Sequence, residues 1–210
     1  MRLMRLLPAT LLLTSASLAV HAQSSTDRPT FGVYGGLNLA TIAGNDVDNA
    51  AYQAGLVFGL SARWHLSGGR WAFQPAIEYS QKGVSTTSTT PPVVTANAHV
   101  NYAEIPLLLR VQADKMQGAT PYLLFGPAVG FKTSCDLKAK SGAVTVSARC
   151  SDFAKIESLD FGAMFGVGTD FAVGGLTWTL AARYDLGLKK IASDSDGKNR
   201  AFSFLLGLNW

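Results

Sequence analysis

Beyond residue 29 the chain alternates large apolar residues with small or polar ones at a period of two, segment after segment. The longest run begins at Tyr52: Tyr52, Ala54, Leu56, Phe58, Leu60, Ala62, Trp64 and Leu66 are separated by Gln53, Gly55, Val57, Gly59, Ser61, Arg63 and His65. A strand sends successive side chains to opposite faces, so this run predicts a strand with one greasy wall and one polar wall. Near Thr30 to Thr41, Phe31, Val33, Leu37 and Leu39 oppose Gly32, Tyr34, Gly36 and Asn38. The same alternation predicts strands over about 70–80, 98–112, 121–132, 159–171 and 176–187. A last one carries Phe202, Phe204, Leu206, Leu208 and Trp210, with Ser203, Gly207 and Asn209 between and Leu205 as the exception. Eight strands result.

Periodicity does not say which wall faces outward. A soluble eight-stranded barrel lines its inside with apolar residues, and a membrane barrel inverts this. The connections decide, because they alternate in length. Those at Ser67 to Gly69, Ala113 to Ala119 and Val173 to Gly175 are short, while those around Ile42 to Ala51, Gly83 to Asn97, Thr133 to Lys155 and Lys189 to Asn199 are longer. Short turns on one rim and long loops on the other fit an outer-membrane barrel with its short turns in the periplasm. Trp64, Trp71, Trp178 and Trp210 fall near the short-turn or terminal ends of strands, where a periplasmic aromatic girdle sits. The predicted fold is all-β: an eight-stranded antiparallel up-and-down transmembrane β-barrel with a filled polar interior. Pro75, Pro106 and Pro127 lie inside predicted strands, so bulges or local bends are expected there.

The end of the chain, with Phe202, Phe204, Leu206, Leu208 and the terminal aromatic Trp210, resembles the C-terminal assembly signal of bacterial outer-membrane barrels, in which Phe is the commoner last residue. Phe31-Gly32-Val33-Tyr34-Gly35-Gly36-Leu37-Asn38 resembles the opening strand of the PorT-like, porin-family outer-membrane β-barrel proteins. Tyr102-Ala103-Glu104-Ile105-Pro106-Leu107-Leu108-Leu109-Arg110 resembles their fourth strand, and Pro121-Tyr122 through Gly126-Pro127 their fifth. The resemblance covers the chain after its first segment and implies a scaffold more than an activity. It also implies outer-membrane lipid and the barrel-assembly machinery as partners.

Residues 1–22 read as a cleaved signal peptide: Arg2 and Arg5 precede an apolar stretch from Leu6 to Val20, and Val20-His21-Ala22 supplies a small-x-small cleavage site. The stretch is shorter than the roughly 20 residues of a membrane-spanning helix. A short N-terminal segment, 23–29, then leads into the barrel domain, 30–210, and the predicted location is the bacterial outer membrane. Export reduces the formal charge: without Arg2 and Arg5 the 18 basic residues become 16, against 14 acidic ones. With no basic run interleaved with aromatics, nucleic acid is not an expected partner.

Eight strands enclose a space that side chains fill, so the default is a plug and not an open channel. Arg63, Glu78, Glu104, Arg110, Asp170, Arg183 and Asp185 fall on the polar wall and are the candidate lumen ion-pair cluster. Buried charges need partners, so Glu78 and Glu104 are expected to meet Arg183, and Asp170 to answer Arg63 and Arg110. The inward glycines Gly162, Gly166 and Gly168 lack the Gly-Lys-Ser/Thr of a phosphate loop. They are expected to fit a crowded wall.

Cys135 and Cys150, the only cysteines, are predicted to form a disulfide in the longest loop, since export places them in an oxidising compartment. Two thiols are too few for a structural zinc site, and no metal or cofactor is expected. The Asp194 to Asn199 string lacks the closing glutamate of a calcium loop. Catalysis needs a nucleophile and an oriented base, yet the only histidines past residue 22 are His65 and His99, and the sequence shows no acid beside His99. The chain thus reads as a non-enzymatic, monomeric outer-membrane barrel with a structural, surface-interaction or adhesin-like role toward an unspecified extracellular ligand. The alternatives are a narrow or gated pore for small solutes and, more remotely, an outer-membrane lipid hydrolase or acyltransferase.

Overall fold

The structure, a computed structural model, describes residues 28–44, 50–66, 69–88, 90, 93–150, 157–191 and 196–210. The segment expected to be a signal peptide lies outside the described residues, as do 23–27. Nine strands follow in order: β1 (Thr30–Ala43), β2 (Ala51–His65), β3 (Trp71–Thr87), β4 (Thr95–Gln112), β5 (Ala119–Ser141), β6 (Val144–Arg149), β7 (Leu159–Val173), β8 (Leu176–Lys190) and β9 (Lys198–Asn209). Neighbours pair antiparallel in the order β4-β3-β2-β1-β9-β8-β7-β5, and β4 also pairs with β5, which closes an eight-stranded barrel. β6 pairs only with β5 and stands outside the closed wall. At the seam between the two ends of the barrel, the Phe31 and Trp210 amides each donate to the other's carbonyl, at 3.1 and 2.9 Å.

The walls are inverted relative to a soluble protein. Leu60 and Ile77 are 64% and 67% exposed on the outside, whereas Glu78 and Arg110 are 2% and 0% exposed within. Apolar side chains in such numbers are stable outside only against hydrocarbon, and a closed barrel leaves no strand edge unsatisfied there. The two faces of β9 divide accordingly: Phe202, Phe204 and Leu206 are exposed, and Ser203 and Asn209 are buried.

Several strands outrun their apolar pattern. Residues 133–155 are predicted as a loop, but β5 continues to Ser141, turns through Gly142 at φ 57°, and returns as β6. The left-handed turn suits glycine, which pays no Cβ penalty there. Above the lipid a strand needs no greasy wall, so the hydrophobic signal weakens to short runs such as Leu137 and Ala139 or Val144 and Val146 while the pairing continues. Of the bulges or bends expected at the prolines, no bulge is found, since none coincides with a register shift, but pairing lapses beside them, between Pro75 and Glu78 and between Pro106 and Leu109. The shifts lie instead between Tyr52 and Val57, at Asn101/Tyr102, and between Leu186 and Lys190. Pairs Pro75↔Leu107 and Glu78↔Glu104 share one register, as do Pro106↔Ala128 and Leu109↔Phe125. A one-residue slip would turn Glu78 or Arg110 toward lipid, which costs more than a lost ladder bond.

Candidate functional site

The inward residues form three stacked polar layers. Nearest the short turns, Asp170 Oδ2 accepts from Arg63 Nη1 at 3.1 Å and from Arg110 Nη2 at 2.5 Å, while Thr179 donates to Oδ1 at 2.6 Å. Arg63 also reaches Asn209 Oδ1 at 3.4 Å, and the Arg110 guanidinium stacks 3.4 Å from the Tyr122 ring centre. In the middle layer Arg183 grips Glu78 with two parallel bonds of 2.9 and 2.6 Å, and Tyr34 donates to the same carboxylate at 2.5 Å. Two-pronged pairing of this kind fixes geometry as well as charge. Toward the long loops, Lys82 bonds Glu104 Oε1 at 2.6 Å, contacts Asp185, and lies 3.9 Å from Asp160. Asn199 donates to Asp160 at 2.7 Å and to the Tyr102 hydroxyl at 3.2 Å.

All seven charged residues singled out from the sequence are buried in this interior. One expected pairing is corrected: Glu104 bonds Lys82, and Arg183 spends both its forks on Glu78. Sequence reasoning missed Lys82 because the predicted third strand stops near Ser80, whereas β3 runs to Thr87 and keeps even-numbered residues inside. Extending the alternation by one more rung would have found it. Asp160 sits on the polar wall of its predicted strand and was not counted among the partners.

Little space is left between the layers. A cavity of about 40 Å³ lies among Tyr34, Ser61, Arg63, Leu108, Tyr122 and Arg183, enough for a few waters and no solute. The arrangement suits a rigid plug; among the described residues no group of three His, Cys, Asp or Glu side chains is placed to hold a metal ion. The four tryptophans are half-exposed at the short-turn end, Trp178 opposite Leu208 and Trp64 opposite Phe73.

At the other end, the β5–β6 hairpin extends the wall on one side only. A Cys135–Cys150 disulfide closes its base, with the Cα atoms 5.4 Å apart. Closing a loop of this size contributes about 3 kcal/mol in the chain-entropy model. The double variant Cys135→Ser/Cys150→Ser is therefore expected to be clipped by protease within 136–149 while the barrel itself stays intact on a gel. Equal cleavage of both proteins would show that the bridge adds no local stability. Of the calcium-like string, Asp194 and Ser195 lie outside the described residues, and Asp196 pairs with Lys190. That hydrogen bond and the ammonium charge hold the Asp196 carboxyl below its ordinary range. His99 does have an acid opposite it, Asp136, through a pairing the sequence did not disclose.

Several solved structures are similar to the chain at low identity. Neisserial surface protein A is 13% identical, with 85% of this chain and 95% of that one covered and a TM-score of 0.47. Ail, the attachment invasion locus protein of Yersinia pestis, is 11% identical over 88% and 100%, with a TM-score of 0.43. The N-terminal β-barrel domain of Pseudomonas aeruginosa OprF is 12% identical over 86% and 97%, with a TM-score of 0.39. A comparison with curated protein sequences finds no match. The model of the outer membrane protein beta-barrel domain matches residues 21–193, and with its inverted walls and closed eight-stranded sheet the chain belongs to that family of the bacterial outer membrane.

Proposed function

We propose that this protein is a closed, PorT-like barrel without enzymatic activity, working as a monomer that anchors and presents the β5–β6 hairpin in a structural or surface-interaction role. The observation that carries this reading is the interior column: Asp170 with two arginines, Glu78 with Arg183, and Lys82 with its carboxylates succeed one another along the barrel axis. A solute would have to break these pairs in a space that holds little water, and opening any one of them exposes an unpaired buried charge. Residues 1–22 act in this reading as a cleaved export signal. The segment from Phe202 to Trp210 is the part the assembly machinery recognises, and Trp64, Trp71, Trp178 and Trp210 anchor the periplasmic interface.

The test is electrical. Refolded protein, verified by its heat-dependent shift on a gel, is expected to be silent in planar bilayers. A steady unitary conductance from the unmodified protein would overturn the plug and favour the narrow-pore alternative. Glu104→Gln is expected to stay silent too, because the middle and lower layers remain paired; conductance in this variant alone would favour a gated pore.

A further inference from the structure

On the outward wall, above the apolar belt, β3 to β6 build a lateral cleft. The belt ends on one rung with Tyr79, Ala103 and Phe131 side by side. The next rung aligns Gln81, Asn101 and Ser134, and above it His99, Asp136 and Arg149 stand in a row. One rung higher, Lys138 pairs with Ser147. An extra residue, Thr133, at the β-bulge keeps this row on the outside while β5 changes parity. The resulting cleft of about 610 Å³ is lined by His99, Asn101, Asp136, Lys138, Ser147 and Arg149, with Gln81 at its lower edge. That volume is in the range of sites that take small ligands.

Two observations point to an occupant. Asn101 is 9% exposed and donates its Nδ2 to Ser134 at 2.8 Å, yet its Oδ1 has no partner among the described residues. That oxygen has no open surface in this structure, so a ligand hydroxyl reaches it once the Asn101 amide turns toward the cleft. Secondly, Lys138 and Arg149 are exposed, and the ion pairs formed among the described residues include neither of them. Asp136, the one carboxylate in the cleft, leaves a surplus of positive charge, and Lys140 follows on the same face.

Height selects among anionic partners. Each rung of two residues adds roughly 5 Å along the membrane normal for strands tilted by about 40°. The cleft therefore spans roughly 5 to 15 Å above the hydrocarbon edge, beyond a simple phospholipid headgroup and level with a sugar-bearing one. We infer that this cleft binds the phosphorylated sugar headgroup of an outer-leaflet glycolipid, with Lys138 and Arg149 on the phosphate and Asn101 Oδ1 on a sugar hydroxyl. The acyl chains then lie along the wall directly below, formed by half-buried Tyr79 and exposed Phe131.

Full-length protein in phosphatidylcholine nanodiscs, doped with a phosphorylated glucosamine-disaccharide lipid or its dephosphorylated form, provides the test, read as glycolipid retained in native mass spectra. Retention is expected to be about tenfold weaker for Lys138→Gln/Arg149→Gln, and removing the lipid phosphates is expected to weaken the unmodified protein to the same level. Asn101→Ala is expected to weaken both lipids alike. Equal retention by the unmodified protein and the folded double variant overturns the inference. So does displacement of the lipid by equimolar soluble glucosamine phosphate, since the site would then take a free phosphosugar. Folding is checked by the gel shift and closure by conductance, so failure here leaves the plugged barrel standing, and a conducting barrel leaves this cleft untouched.

Discussion

Lys82→Met is expected to be the most damaging single charge change in the barrel. Its ammonium, 2% exposed at the side chain, is the only cation within 4 Å of Glu104, Asp160 and Asp185 among the described residues. Removing it leaves three carboxylates facing one another in a space closed to water. Breaking a buried ionic contact from one side costs about 3–5 kcal/mol, because the surviving charge is left uncompensated. Urea unfolding of the refolded protein in phospholipid vesicles should show this as a lowered midpoint. The triple variant Lys82→Met/Glu104→Gln/Asp185→Asn should recover much of the loss, since it removes charges from both sides. A Lys82→Met midpoint equal to that of the unmodified protein would mean that the carboxyl groups are already neutral, and the ionic account of the upper layer would fail.

The second large effect is steric. A Cβ placed on Gly36 would lie 1.9 Å from the Phe204 carbonyl oxygen and 2.8 Å from its carbon, both backbone atoms of β9. Gly36 pairs with Leu205 across the seam that closes the barrel, so Gly36→Val must push β1 away from β9. A displacement there breaks ladder bonds in a setting where lipid offers no replacement partners. We expect a penalty of about 3 kcal/mol or more, at the upper end of overpacking costs, and loss of most of the folded band on refolding. Neighbouring Gly35 provides the control. Its Cβ would meet Val57 O at 3.7 Å and Phe58 Cβ at 3.9 Å, ordinary contacts, so Gly35→Ala should refold normally. Equal refolding of both variants would show that the seam yields more easily than this backbone contact implies.

These two residues mark the reach of sequence reasoning here. Where a strand lies between lipid and a filled interior, both faces constrain it, and the alternation from Tyr52 to Leu66 is legible for that reason. Where a strand leaves the membrane the lipid constraint is lost: the upper part of β3 turns polar, and the upper part of β5 and β6 keep only short alternations, Leu137 and Ala139 in one and Val144, Val146 and Ala148 in the other. The inward position of Glu78 or Arg183 follows from parity alone. Which carboxylate meets which cation does not, because Lys82 and Glu104 are brought together by register between β3 and β4 and by the depth at which each side chain ends. The same limit hid the cleft: His99 and Asp136 become neighbours only through a bulge at Thr133 that nothing in the local sequence announces.

The three layers are not electrically alike. Arg63 and Arg110 outnumber Asp170 in the layer at the short-turn end, while Glu104, Asp160 and Asp185 outnumber Lys82 in the layer toward the long loops. An anion entering from the long-loop end would meet net negative charge, and a cation entering from the short-turn end net positive charge. Each end of the column thus opposes the sign of ion that the other would admit, which is the charge pattern expected of the plug proposed above.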